Sequence, residues 1–384
     1  MSERKHAVLS ASSSGKWLVC TPSAQLENKF VDEDSAFAAE GTLAHEVFEQ
    51  MLNLYLGVPG SAVPEGITVD MMDHVQCAVD YAVTLIEQAR ERCTDPVIYV
   101  ERKLDFSPWV PEGFGTGDLV IITDDLVEIA DLKYGKGVGV SPTGNSQMRL
   151  YGLGAYNEMN HLYDIRRVRT HVLQPRLDNW GYEEMTVEDL LLWAENVVVP
   201  KALIAWEGQG EMVAGDHCHS YFCRARFTCP KRNQAAQELV DTAFAFEPPD
   251  MLTDKQMAQV LARADQVIKW LSDVKDWGFK TLESGKSIPG FKLVEGRSNR
   301  RYVDQDAVAE ALIENGYDAA LIYEHSLLGI TAMEKLLGKK AFADILGTLI
   351  EKPAGKPTLV PESDKRPAYD ALAYFNDETP QEGL

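Results

Sequence analysis

Basic residues are scarce: 37 Lys and Arg stand against 59 Asp and Glu in 384 residues, a formal net charge of −22. Such a surface repels phosphates, which excludes wholesale coating of nucleic acid but leaves room for one basic groove. A partner or a homo-oligomer would help such a chain hold an anionic substrate. No apolar run is long enough to span a membrane and no secretory signal is evident, so a cytoplasmic protein without a membrane partner is expected. No Walker-type phosphate loop and no internal repeat occur, so ATP-driven unwinding would need another chain. Cysteine is sparse, with six residues at 20, 77, 93, 218, 223 and 229, and a cytosolic chain has little use for disulfides. What remains, 45% hydrophobic residues at this length, suffices for a sizeable core and more than one domain.

Residues 115–134 read GTGDLVIITDDLVEIADLKY. Two apolar runs flank Asp124-Asp125, which predicts antiparallel strands joined by a tight turn. That hairpin brings Asp118, Asp131 and Lys133 to one end of a small sheet. Converging carboxylates repel unless a divalent cation neutralises them, and hard oxygen ligands suit magnesium or manganese. A lysine beside the ion can stabilise charge on a phosphate. The competing reading is a solvated Asp-x-Lys pair on one strand face. Glycines 115 and 117 allow a close backbone approach or a sharp turn.

Downstream, QMRLYGLGAY has helical spacing, with Gln147 and Tyr151 on one face; a plain amphipathic core helix is the alternative. Upstream, EGTLAHEVFEQM predicts a helix with Thr42 as N-cap and His45 in its first turn, close to Phe48. Segment VIYVERKLDF alternates like a strand and carries Glu101, which either joins the acidic group or pairs with Arg102 or Lys103.

In this order, His45, Asp118, Asp131-Leu132-Lys133 and Gln147…Tyr151 resemble the PD-(D/E)xK superfamily, and its RecB-like nucleases in particular. The resemblance implies an α/β, restriction-endonuclease-like core with a mixed central sheet flanked by helices. It implies a magnesium or manganese ion held by His45, Asp118, Asp131 and the Leu132 carbonyl, with Glu101 nearby. Lys133 would position the nucleophile, Gln147 would orient water, substrate or the lysine, and Tyr151 would face DNA. The implied activity is metal-dependent hydrolysis of DNA, as an exonuclease processing ends. From HAVLSASSSGKWLVC to LVPESDKRPAY the chain looks like an uncharacterised phage and prophage family of such enzymes. That setting implies the host cytoplasm and a single-strand annealing or recombination protein as companion.

The remaining cysteines extend the likeness. HCHSYFCRARFTCP supplies Cys218, Cys223 and Cys229, and Cys20 lies far upstream. One early cysteine plus three late ones is similar to the iron–sulfur RecB-like nucleases, where four thiolates hold a [4Fe–4S] cluster. Four residues separate Cys218 from Cys223 where the relatives usually have two, and His217 and His219 keep a structural zinc site open. Cys77 and Cys93 read as core residues of a helical stretch.

FEPPDMLTD interrupts two helical regions and predicts a seam near 245–252. The nuclease domain would then span 1–245 and a mainly helical accessory domain 246–370, followed by a disordered acidic tail over 371–384. GRSNRR, with Arg297, Arg300 and Arg301, is the most basic short segment and a candidate for nucleic-acid phosphates; a solvated face is the alternative. For the whole chain, the competing reading is a catalytically silent DNA-binding or scaffold protein on the same fold.

Overall fold

The structure is a computed structural model that describes residues 7–30, 36–64, 67–137, 139–244, 252–294, 305–315 and 337–350, with isolated positions at 333, 360 and 362. Short helices α1 (Ser14–Trp17) and α2 (Ser23–Glu27) precede two long ones, α3 (Ala36–Leu56) and α4 (Val69–Arg92). Three strands follow, β1 (Val97–Asp105), β2 (Phe114–Ile122) and β3 (Leu126–Leu132), then α5 (Ser146–Met159) and strands β4 (Arg167–Gln174) and β5 (Asn179–Thr186). Helices α6 (Val187–Trp193), α7 (Val199–Trp206), α8 (His217–Ser220), α9 (Pro230–Phe244) and α10 (Asp254–Glu283) complete this part.

The five strands form one mixed sheet in the order β1-β2-β3-β4-β5. Every neighbouring pair is antiparallel except β3 and β4, which run parallel. A parallel pair needs a crossover, and α5 provides it. The turn at Asp124-Asp125 forms as expected, with the Thr123 N–H donating to the Leu126 carbonyl at 3.0 Å. All seven residues of β3 are buried, which makes it the sheet's centre and explains why its sequence is apolar nearly throughout.

Each face of the sheet has its own core. Val127 and Ile129 point towards the α5 side, with Met148, Leu153 and Trp17. Ala130 and Leu132 point to the other side, where α3 and α4 contribute Phe48, Leu52 and Ile86. Those three side chains are fully buried, and each contributes about 1.5–3 kcal/mol by leaving water. Helix α5 starts at a clear signal, because the Asn145 side chain accepts the backbone N–H groups of Gln147 and Met148. It lies close to the sheet because Gly154 has no side chain; a Cβ there would meet Leu104 at 2.8 Å.

Two local expectations are corrected. Helix α3 already runs from Ala36, so Thr42 is an interior residue and His45 sits mid-helix. Cys77 is exposed on α4, whereas Cys93 is buried as expected.

The chain divides into two compact units, 1–288 and 289–384. Helix α10, expected to open the accessory part, therefore belongs to the first unit. Its Asp273 is 3% exposed and is held by Arg226 and Arg232, so a buried ion cluster ties α10 to the segment after α8. In the second unit the described elements are helical, including α11 (Gln305–Glu314) and α12 (Lys339–Leu346). Arg297, Arg300 and Arg301 and the tail 371–384 lie outside the described residues. Among the described residues no helix is long and apolar enough to cross a membrane.

Candidate metal centre

Period-two alternation breaks at one place in the sheet. Val97 and Tyr99 pack on the α5 side of β1, and so does Leu104, which an uninterrupted strand would send to the other face. Strand β2 slips in the same way. Val120 and Ile122 face the α5 side, yet Gly117 and Gly115 also abut Leu104 and Tyr151 there. Both slips fall where the ladder passes from Val100↔Leu119 to Arg102↔Gly117, so the positions between them are Glu101 and Asp118. Glu101 takes up the distortion with φ of +51°. A left-handed backbone is costly for a residue with a Cβ and recurs at functional sites.

This distortion brings three ligand-type groups together. The donor atoms of His45, Glu101 and Asp118 all lie within 4.8 Å of one another, a spacing that one divalent cation can span. His45 comes from α3, and its Nδ1 is 3.2 Å from Asp118 Oδ2. The same oxygen accepts the Leu132 backbone N–H at 2.7 Å, which ties β2 to the end of β3. Asp118 and Asp131 are 5% and 2% exposed, so their charges have little water to relieve them.

Asp131 anchors the second half of the site. Its Oδ1 accepts from Gln147 Nε2 at 3.2 Å, and the same amide group donates to Tyr151 Oη at 3.0 Å. Lys133 Nζ donates to Gln147 Oε1 at 2.9 Å and lies 2.7 Å from Asp131 Oδ2. That last contact has the distance of an ion pair but not the angles of a hydrogen bond, so Oδ2 is buried with no hydrogen-bond donor. Of the three partners expected for Gln147 (water, substrate or the lysine), the one it contacts here is Lys133. Tyr151 is 6% exposed and packs over Gly115, where a Cβ would fall 2.6 Å from its ring. It faces the core rather than an open groove, so its place is to support Gln147. This also gives Gly115 its role.

Burial and mutual repulsion set the electrostatics. Desolvation, then the neighbouring Asp118, push the Glu101 carboxyl up to about 7. Desolvation also raises Asp131, against the opposing pull of Lys133. For His45, burial works against the charged form, but Asp118 outweighs it and lifts the imidazole to about 9. An acid held half-protonated, another held up and a histidine held charged are what an anionic pocket does without a cation. A divalent ion with oxygen and nitrogen ligands fits the converging donor set of His45, Glu101 and Asp118.

The cysteines do not gather. Among the described residues Cys20, Cys218, Cys223 and Cys229 are all free, and no three of their sulfurs fall within 4.8 Å. Cys218 and Cys223 instead share a small apolar cluster with Ala225, against Leu26 and Phe30. Burial pushes the Cys223 thiol up to about 12, which holds it in the protonated form. The expected staple between the two segments is made by other groups. Lys16 pairs with Glu27 in the interior and donates to the Tyr221 carbonyl, while Glu27 accepts the Arg224 backbone N–H at 2.6 Å. Among the described residues these cysteines show no cluster-like arrangement, and no three of them with the neighbouring histidines come as close as the ligands of one zinc ion would.

Among solved structures, one titled "Crystal structure of SSO0001" aligns with 12% identity over 60% of this chain and 89% of that one. Its TM-score of 0.29 is below the level at which a likeness bears on fold. Residues 6–367 match the model of a family described as Protein of unknown function (DUF2800), and the chain belongs to that family.

Proposed function

We propose that this protein is a metal-dependent DNA nuclease of the RecB-like PD-(D/E)xK type, acting on DNA ends as an exonuclease. The observation that carries the proposal is the convergence of His45, Glu101 and Asp118 beside the Asp131, Lys133 and Gln147 network. These groups come from α3, β1, β2, β3 and α5, and the distorted sheet register is what allows them to meet.

His45, Glu101, Asp118 and Asp131 would hold magnesium or manganese, with the Leu132 carbonyl as a further oxygen. When bound, such an ion lowers the pKa of a coordinated water and polarises the scissile phosphate. The protein's own contribution is placement. Lys133 holds a fixed positive charge at the mouth of the acidic pocket, where it offsets charge building on phosphorus. Gln147 fixes the lysine and Asp131 in one arrangement, and Tyr151 fixes Gln147. Removing Lys133 leaves the ion's ligands in place but lowers the rate; removing Asp131 weakens the ion itself.

The companion expected for such an enzyme in a phage setting is a single-strand annealing or recombination protein. Its acidic surface makes help in holding DNA useful. The test is digestion of end-labelled linear DNA and covalently closed circular DNA with Mg²⁺ or Mn²⁺. Loss of linear DNA alone, abolished by EDTA and by Asp131→Ala, supports an exonuclease. Intact DNA under every condition favours a silent binding or scaffold protein.

A further inference from the structure

Helix α10 meets the rest of its unit along one face. There Asp273 holds Arg226 and Arg232, Lys269 pairs with Asp216 at 3.1 Å, the Trp270 indole donates to Asn233, and Trp277 stacks on Phe227. On the opposite face Leu261, Ile268, Leu271 and Phe279 are between 45% and 63% exposed. Apolar side chains lined up in water along one helix mark an interaction surface.

This stripe has the spacing of a coiled-coil seam. From Leu261, alternating steps of three and four reach Ala264, Ile268 and Leu271, and then Lys275, Gly278 and Leu282. A seam of that period winds around a partner helix of the same pattern. Met257 lies one step before Leu261, so the seam runs over residues 257–282, about 39 Å of helix.

The seam's own residues select the partner. Laid antiparallel on a second copy, Ile268 faces Leu271, Ala264 faces Lys275, Leu261 faces Gly278 and Met257 faces Leu282. Each small residue then meets a long one, as an interdigitated core requires. A parallel pair would stack Lys275 on Lys275 and Gly278 on Gly278, a like-charge layer beside a void. In the antiparallel register the Lys275 stem packs over Ala264, and its ammonium lies on the same flank as Asp265 of the second copy. The other flank sets Val267 against Val274, which is exposed in a single copy. Acids and bases also balance on α10, five of each. In a chain of net charge −22, two copies can approach along this helix without the repulsion that an acidic surface imposes.

We propose that the chain forms a homodimer through an antiparallel coiled coil of two α10 helices. The lysine in the seam costs some stability and fixes orientation and register, a use attested for single polar residues at such positions. The proposal is independent of the nuclease reading.

Sedimentation velocity of the full chain over a dilution series in EDTA tests it. The expected result is exchange between monomer and dimer in the micromolar range. Ile268→Glu is expected to raise the dimer Kd at least about a hundredfold, since each dimer carries the change twice. The melting temperature of the monomer should hold, because this side chain is exposed there. Lys275→Glu is expected to weaken the dimer several-fold, and adding Asp265→Lys to restore it. A dimer that Ile268→Glu leaves intact overturns the seam, and a charge swap that restores nothing overturns the antiparallel pairing. A wild type that stays monomeric at every concentration overturns the proposal. Ile268→Glu then assigns the stripe: to residues 289–384 of the same chain if it lowers the melting temperature, and to a different protein if it does not.

Discussion

Replacing Glu101 with glutamine should stabilise the metal-free protein at alkaline pH and leave it nearly unchanged in acid. Glu101 rises from 4.5 to about 7, chiefly through burial and then through Asp118. The folded protein therefore binds a proton there that the unfolded chain has released. Between those two values each pH step of one removes about 1.4 kcal/mol of stability, for a total near 3 kcal/mol. Solvent at the open edge of the site reduces this to about 2 kcal/mol. Glutamine resembles the protonated acid, so the two proteins should match below pH 4.5, diverge between 4.5 and 7, and keep a constant gap above 7. His45, raised to about 9, adds stability that is full below 6.5 and lost as pH climbs through 9. It does so in both proteins and largely cancels in the difference. Urea unfolding in EDTA at pH 5 and pH 8 measures that difference. Parallel stability curves across the range would refute the reasoning, because Glu101 would then be neither desolvated nor repelled.

Gly115→Ala places a Cβ 2.6 Å from the Tyr151 ring; thermal unfolding should show a loss of about 1–3 kcal/mol from overpacking, and cleavage should fall because Tyr151 positions Gln147. Glu128 is buried between Arg169, at 2.9 Å, and Arg92. Burial opposes its charge, but His171 and these arginines hold its carboxyl below the ordinary value of 4.5. Its stabilisation is therefore present above pH 4.5 and lost as pH falls through the depressed value. Denaturation of Glu128→Ala at neutral pH should show a loss of about 3 kcal/mol, with a smaller gap from wild type in acid and no change in metal binding.

The hairpin was legible because it is built from local signals, two apolar runs and a two-aspartate turn. The site was legible as an ordered set of residue types, and the structure brings His45, Glu101 and Asp118 together beside Asp131, Lys133 and Gln147. The device that lets them meet had no signature. Nothing in VIYVERKLDF marks Glu101 as a left-handed residue, and the matching slip in β2 depends on its partner strand. The start of α3 was missed for a related reason: Thr42 suits an N-cap, but tertiary packing of Ala44, Val47 and Phe48 comes from a helix already under way. Tyr151 read as a core residue from its helix alone and as facing DNA from the resemblance, and its burial over Gly115 decides for the core. Cysteine spacing is compatible with several arrangements in space, and here Lys16 and Glu27, bonded to Tyr221 and Arg224, link the segments that thiolates were expected to join.

The central claim is that the acidic pocket is one divalent-metal site whose occupancy controls hydrolysis. Mn²⁺ titrated into the EDTA-stripped protein, with heat of binding and DNA cleavage followed on the same samples, tests it most directly. The account predicts that cleavage rises with the binding isotherm, and that Asp118→Asn shifts both to at least about tenfold higher Mn²⁺, as loss of a metal ligand or its support does. Wild-type protein that takes up no Mn²⁺, or an Asp118→Asn variant that binds and cleaves like wild type, would contradict it.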